Sequence, residues 1–222
     1  SFDFEIKEAG GSRPSIPDPS GSWSKSTIPA MAIGYSVMVT PIQILTFYNA
    51  IANGGKMMKP YIVEKFERDG VLVEERKPSL LSIVCSEATA DTLTRALKKV
   101  TAYRKGAAYQ EGTAANSMKG VGCEVAGKTG TAWIYLEGED AIGKQSPYIA
   151  ADGSRKYQAS FAGFFPADDP KYSMIVVAYT DRVHKIEGGG GRPARVFRDI
   201  VNDIMTYDPQ WQREITARKD KW

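Results

Sequence analysis

Ala126-Gly127-Lys128-Thr129-Gly130-Thr131-Ala132-Trp133 decides the fold, and it runs without a break into the strand-like Ile134-Tyr135. It holds one cation, two hydroxyls and two glycines. Gly127 and Gly130 leave room for another backbone to approach closely. Lys128 offers a point charge with three donors, and the hydroxyls of Thr129 and Thr131 can donate to a carboxylate. In strand geometry the two threonines share a face while Lys128 starts on the other. For all three to serve one site, the strand must lie at the rim of a cleft and not in the middle of a sheet.

Downstream, residues 158–165 and 172–180 read as an antiparallel strand pair joined by Pro166-Ala167-Asp168-Asp169-Pro170. Met174-Ile175-Val176-Val177-Ala178 is continuously apolar, which predicts a strand covered on both faces. After Gly188-Gly189-Gly190-Gly191, Pro193 opens a helix whose Val196, Phe197, Ile200, Val201, Ile204 and Met205 form one face to lie across the sheet. The variable stretch 137–156 reads as a loop beside the cleft.

Upstream, Thr40 can cap a helix with Pro41 at its first position and Gln43 as the returning arm of a capping box. Ile44, Leu45, Tyr48, Ile51 and Ala52 make its apolar face, and Asn53-Gly54-Gly55 its exit. Residues 61–66 and 71–73 alternate around Arg68-Asp69-Gly70, a peripheral hairpin. Ser86 caps a second helix with Leu93, Ala96, Leu97 and Val100 at core spacing. Residues 103–122 turn polar and glycine-rich, and residues 1–30, rich in Gly, Pro and Ser, read as loop. The pattern is α+β: an antiparallel sheet flanked by helices.

A length of 222 residues suffices for one good core or two small ones. A net charge of +3, evenly spread, argues against a nucleic-acid partner. No run approaches the roughly 18 apolar residues of a membrane span, and Ser1-Phe2-Asp3-Phe4 is no signal peptide, so the chain as given reads as soluble. Cys85 and Cys123 lack metal-type spacing, which argues against a metal site; two buried free thiols are the preferred reading, with one disulfide the alternative. His184, the single histidine, reads as a surface or loop residue, Asp168-Asp169 as turn chemistry, and Arg192 as a solvated cation.

Lys-Thr-Gly is one of three motifs shared by penicillin-binding proteins and class A β-lactamases. The chain adds Ile33-Gly34-Tyr35 leading to Val39-Thr40-Pro41-Ile42-Gln43, then Ile51-Ala52-Asn53-Gly54-Gly55, Pro60, Gly112-Thr113-Ala114, Ser160-Phe161-Ala162-Gly163-Phe164-Phe165-Pro166 and the glycine run before Pro193. Together these resemble the C-terminal half of the transpeptidase domain of class B penicillin-binding proteins, the monofunctional enzymes of septal or elongation peptidoglycan synthesis. The resemblance divides the chain into a loop-rich segment of a truncated transpeptidase domain (1–32), the C-terminal half of that domain (33–206) and a polar tail (207–222).

The resemblance implies a β-lactamase/transpeptidase-like (penicilloyl-serine transferase) fold with Lys-Thr-Gly on the strand lining the site. It implies acyl transfer from a stem peptide ending in D-Ala-D-Ala to an amine of a second stem, with β-lactams acylating the same serine and no cofactor. Lys128 would stabilise the substrate's carboxylate end and help the proton path. Thr129 and Thr131 would hydrogen-bond that carboxylate beside Gly130. A backbone N–H at Thr131 or its neighbour would serve the oxyanion, and Trp133 would line the cleft wall. The expected setting of the parent is the periplasmic face of the cytoplasmic membrane, with a single membrane anchor upstream and a membrane-anchored glycosyltransferase and division or elongation proteins as partners.

The chain departs from the family pattern in two motifs. Ser-x-Asn is absent, and Ser22-Trp23-Ser24-Lys25 fits Ser-x-x-Lys only as a string, in a Gly/Pro/Ser-rich loop where no packed helix would hold the lysine against the hydroxyl. The expectation is a fragment that lacks its nucleophile, is inactive alone and exposes apolar surface that invites self-association. Two alternatives on the same fold are a β-lactam-sensing receptor domain and a non-catalytic scaffold.

Overall fold

The structure is a computed structural model, and it describes residues 15–21, 23–136, 141–142, 146–181, 183–185, 187–209 and 211. The chain divides into two compact units, Ser1–Asp91 and Thr92–Trp222.

In the first unit the expected helix is present as α2 (Pro41–Ala52), preceded by a short α1 (Thr27–Ala32) in the segment read as loop. The capping arm forms, with the Thr40 N–H donating to Gln43 Oε1 at 2.9 Å. Thr46, Ala50 and Ile51 are buried along α2, and the Thr46 hydroxyl is satisfied by the Ile42 carbonyl at 2.8 Å. The sequence gives no clear signal for β1 (Lys56–Met58), which pairs antiparallel with β4 (Leu80–Ile83). Between them β2 (Lys65–Arg68) and β3 (Val71–Glu75) form the hairpin, its first strand starting four residues later than the alternation suggests. Asp69 and Gly70 turn with φ of 52° and 76°, the two positive values that a two-residue type I′ connection requires.

Helix α3 (Glu87–Thr101) starts in the first unit, where the Thr89 N–H donates to Ser86 Oγ at 3.3 Å. Its predicted core stripe is only partly used: Leu93 and Ala96 are exposed, Leu97 and Val100 half-buried. The last turn is what packs, since Val100 joins the second unit's core and the Thr101 hydroxyl donates to the Val125 carbonyl at 2.5 Å.

The second unit is built on a three-stranded antiparallel sheet in the order β5 (Ala126–Trp133), β8 (Tyr157–Phe165), β9 (Tyr172–Tyr179). Helix α4 (Arg192–Tyr207) packs on β8 and β9 through Ala194, Phe197 and Val201, all fully buried; Val196, assigned to the same face from sequence, is 41% exposed. Phe161 of β8 meets Phe197 edge-on at 4.8 Å. Strand β8 is sealed by neighbours on both sides, whereas β9 is half-buried from Tyr172 to Ala178 because it ends the sheet among the described residues. The expectation of cover on both faces of β9 is therefore corrected.

Two other expectations change. The stretch 137–156, read as loop, carries β6 (Ala141–Ile142) paired with β7 (Ser146–Ala150), while 137–140 and 143–145 lie outside the described residues. The polar tail contributes a core residue: Trp211 is buried and stacks on Tyr172 and Phe165 at centroid distances of 5.8 and 5.9 Å. Its remaining residues 212–222, including the charged run near the end, lie outside the described residues.

Candidate active site

Strand β5 ends the sheet at its other edge, which is the rim position that Lys128, Thr129 and Thr131 need if they are to act together. The direction of its backbone groups follows from one bond. The Ile134 N–H donates to the Lys156 carbonyl at 3.0 Å, and antiparallel partners alternate between bonded and non-bonded pairs. With Trp133 opposite Tyr157, the even-numbered residues of β5 turn their amides toward β8. The N–H and C=O groups of Gly127, Thr129, Thr131 and Trp133 therefore point away from β8, along the open edge.

The side chains add to that edge. Lys128 is exposed, and its ammonium curls back to donate to the Thr129 carbonyl at 2.9 Å. Thr129, Thr131 and Trp133 share the face opposite Lys128, as the two-residue period requires. Thr129 Oγ1 lies 3.1 Å from Thr113 Oγ1, and Thr131 Oγ1 accepts from the Gly189 N–H at 3.2 Å. Gly130 faces the Lys128 side of the strand, where a Cβ would stand 2.5 Å from Ser160 Oγ.

Residues 187–191 form a strap across this face. A Cβ at Gly189 would lie 2.0 Å from the Ser160 carbonyl oxygen and 2.6 Å from that of Gly130, so only glycine lets the strap sit directly on the β5–β8 ladder. The Glu187 N–H donates to the Tyr157 hydroxyl at 2.7 Å, and the Ser117 hydroxyl donates to the Gly190 carbonyl at 2.6 Å. Arg195 pairs with Glu187 at 3.1 Å. The result is two hydroxyls held on one face of β5 and a cation that reaches the edge from the other, beside outward-facing backbone donors, an arrangement suited to a carboxylate and to an oxygen that gains negative charge.

Trp133 sits on the row's face at the end of β5, 37% exposed, with the Arg155 guanidinium 4.6 Å over its ring and Tyr148 at 6.3 Å. The structure thus brings Lys128, Thr129, Gly130, Thr131 and Trp133 onto one strand edge. It adds Thr113, Ser117 and Gly188 to Gly190, which sequence reasoning did not place there. The glycine run and Gly112-Thr113-Ala114 were visible as motifs, yet their contacts with β5 bridge 16 to about 60 positions and leave no local periodicity. Cavities of about 530 Å³ beside Cys123 and about 310 Å³ beside Tyr157 and Lys185 both lie off Lys128.

Trp23, Ser24 and Lys25 are exposed and precede α1, with Ser24 Oγ 2.9 Å from Ser26 Oγ; Ser22 lies outside the described residues. His184 and Arg192 are exposed. Asp168 is more than a turn residue, since it and Glu124 share the Lys98 ammonium at 2.9 and 2.7 Å. Cys85 and Cys123 are free thiols, half-buried and not fully so, and burial pushes the Cys123 thiol up to about 11.

Three comparisons bear on this geometry. Residues 5–202 match the penicillin-binding protein transpeptidase domain. Penicillin-binding protein PbpB of Mycobacterium tuberculosis is 31% identical over 84% of this chain and 26% of its own length, and stage V sporulation protein D of Bacillus subtilis is 33% identical over 78% and 24%. The chain spans about a quarter of the length of these relatives. Among solved structures, penicillin-binding protein 3 of M. tuberculosis superposes with a TM-score of 0.69 at 30% identity, over 90% of this chain and 42% of that one, and it is known in complex with aztreonam and with ampicillin. The transpeptidase domain of Burkholderia pseudomallei penicillin-binding protein 3 gives 0.63 at 26% identity, over 92% of this chain and 53% of that one. These matches agree with the mixed helix and antiparallel-sheet architecture described above.

Proposed function

Since the chain belongs to the penicillin-binding protein transpeptidase family, we propose that it supplies the carboxylate-binding and oxyanion-stabilising wall of a serine D,D-transpeptidase that cross-links peptidoglycan stem peptides. The observation that supports this reading is the open edge of β5, along which the Thr131 amide points outward, with the Thr129 and Thr131 hydroxyls on one face and the Lys128 ammonium reaching over the edge from the other to the Thr129 carbonyl. Lys128 and Thr129 hold the terminal carboxylate of a D-Ala-D-Ala stem. The Thr131 N–H faces the reacting carbonyl, a contribution of roughly a hundred- to a thousandfold in rate. β-Lactams carry a carboxylate and an acyl carbonyl in the same relation and occupy the same edge.

The nucleophile is not among the residues of this chain, and the reaction takes place on the outer face of the cytoplasmic membrane. No helix of the described residues is long and apolar enough to cross a membrane.

Two measurements test the reading. Incubation of this chain with a labelled penicillin should leave its intact mass unchanged; an adduct on Ser22 overturns the assignment of the nucleophile. In a full-length protein that joins this chain to a serine-bearing half, Thr129→Val should slow acylation by penicillin about ten- to a hundredfold, with an unchanged melting temperature. Unchanged acylation rates in both Thr129→Val and Lys128→Ala would remove the β5 edge from the mechanism.

A further inference from the structure

The hydroxyl row on β5 does not stop at Thr131. Trp133 continues it on the same face, and the end of that row is a cation with no counter-charge: Arg155 lies with its guanidinium over the indole, its Nε is buried without a hydrogen-bond partner, and among the described residues no carboxylate pairs with it. Tyr148 completes the patch, 6.3 Å from Trp133 and 6.0 Å from Tyr135. An arginine left in this state normally finds an acid, because its planar fork matches a carboxylate.

The direction in which a donor must lie brings that patch into reach. Its carboxyl end is at Lys128 and Thr129 and its reacting carbonyl at the Thr131 N–H, so the peptide runs antiparallel to β5 as an added edge strand. The group attached to the nitrogen of the reacting residue then passes Ala132 and arrives at Trp133, about 7 Å along the strand at roughly 3.3 Å per residue. We propose that Trp133 and Arg155 form the donor-selecting end of this edge, taking a carboxylate-bearing acyl group on the nitrogen side of the reacting residue. The apolar part of that group lies on the indole and Tyr148, and its carboxylate pairs with the guanidinium. Arg155 is a specificity residue: it touches the donor away from the reacting carbonyl. The inference rests on the transpeptidase reading and deepens it.

The test compares two thiolester donors in the full-length protein, following release of the thiol. They share the reacting D-alanyl thiolester and its terminal carboxylate; one is N-acylated with a neutral group and the other with a carboxylate-bearing group of equal length. The carboxylate-bearing donor should show a KM about tenfold lower in the wild type. Arg155→Gln should erase that advantage by raising KM for the carboxylate-bearing donor far more than for the neutral one, and Trp133→Ala should raise KM for both. Equal KM values for the two donors in the wild type overturn the proposal, even if Arg155→Gln fails to fold. So does an equal loss of both donors in a variant that melts at the wild-type temperature. No turnover of either donor, together with no acylation by labelled penicillin, instead sinks the transpeptidase reading itself.

Discussion

Strand β8 and the β2–β3 hairpin are both antiparallel strand structures with alternating apolar residues, and the structure treats them oppositely. Every residue of β2 and β3 is exposed, including Phe66, Val71, Leu72 and Val73, whereas Phe161, Phe164 and Phe165 of β8 have no accessible surface. The hairpin is held by its own ladder and its Asp69-Gly70 turn, while β8 is fixed by strands on both sides and by α4. Apolar alternation identifies a strand, but how many neighbours seal it decides how deeply it is buried. The candidate site is attached to the sealed strand: β5 and the strap 187–191 both rest on β8.

The largest effect that could break this contrast is a core truncation. Phe161→Ala should cost about 3–5 kcal/mol in urea denaturation, since it removes a ring that meets Phe197 and leaves a cavity in the cluster around Met118, Val125 and Phe165. Leu72→Ala, on the exposed hairpin, should stay within about 0.5 kcal/mol. Similar losses for the two would show that the hairpin is buried in solution by a partner or a second copy.

Next in size is the strap. Gly189→Ala forces a Cβ against the backbone of Ser160 and Gly130 and should cost about 1–3 kcal/mol. In the full-length protein it should also slow acylation by penicillin, because the strap orients Thr131. Gly70→Ala meets no atom within 4 Å and pays only for its left-handed backbone, about 1 kcal/mol, without touching acylation. A Gly189 variant with wild-type acylation would detach the strap from the site.

The same contrast explains how far the sequence could be read. Elements stabilised by their own neighbours were legible: the Thr40-to-Gln43 capping arm, the Asp-Gly turn, and the helical repeat Phe197, Val201 and Ile204. So was the shared face of Thr129 and Thr131, which depends only on the pleat. What stayed hidden depends on residues distant in sequence. Trp211 reads as part of a polar tail because its stacking partners are Phe165 and Tyr172, and Thr113 reads as loop because its partner is Thr129. The exposed Leu93 and Ala96 show the converse, a helical stripe present in sequence that no core receives over its whole length.

The smallest effect sharpens the comparison at the far end of the sheet. Lys98 reaches across to Glu124 and Asp168, and these are solvent-accessible groups, so screening holds the pair well below about 1 kcal/mol. The Lys98 hydrogen bond holds the Asp168 carboxyl below its usual range, and the hydrogen bonds that Lys98 donates to Glu124 and to Asp168 raise its ammonium. A depressed carboxyl contributes stability above its unfolded pKa, near 3.9, and loses it as pH falls through the lower folded value. A raised lysine contributes below its unfolded pKa, near 10.4, and loses it as pH rises through the higher folded value. Asp168→Asn should therefore be slightly less stable than wild type between about pH 4 and 10, with the gap shrinking as pH falls below the unfolded carboxyl's value and narrowing with added salt. Chemical denaturation of the two proteins at pH 7 and pH 2.5 reads this directly. A gap as wide at pH 2.5 as at pH 7 would mean that Asp168 acts through the turn at 166–170 and not through its charge.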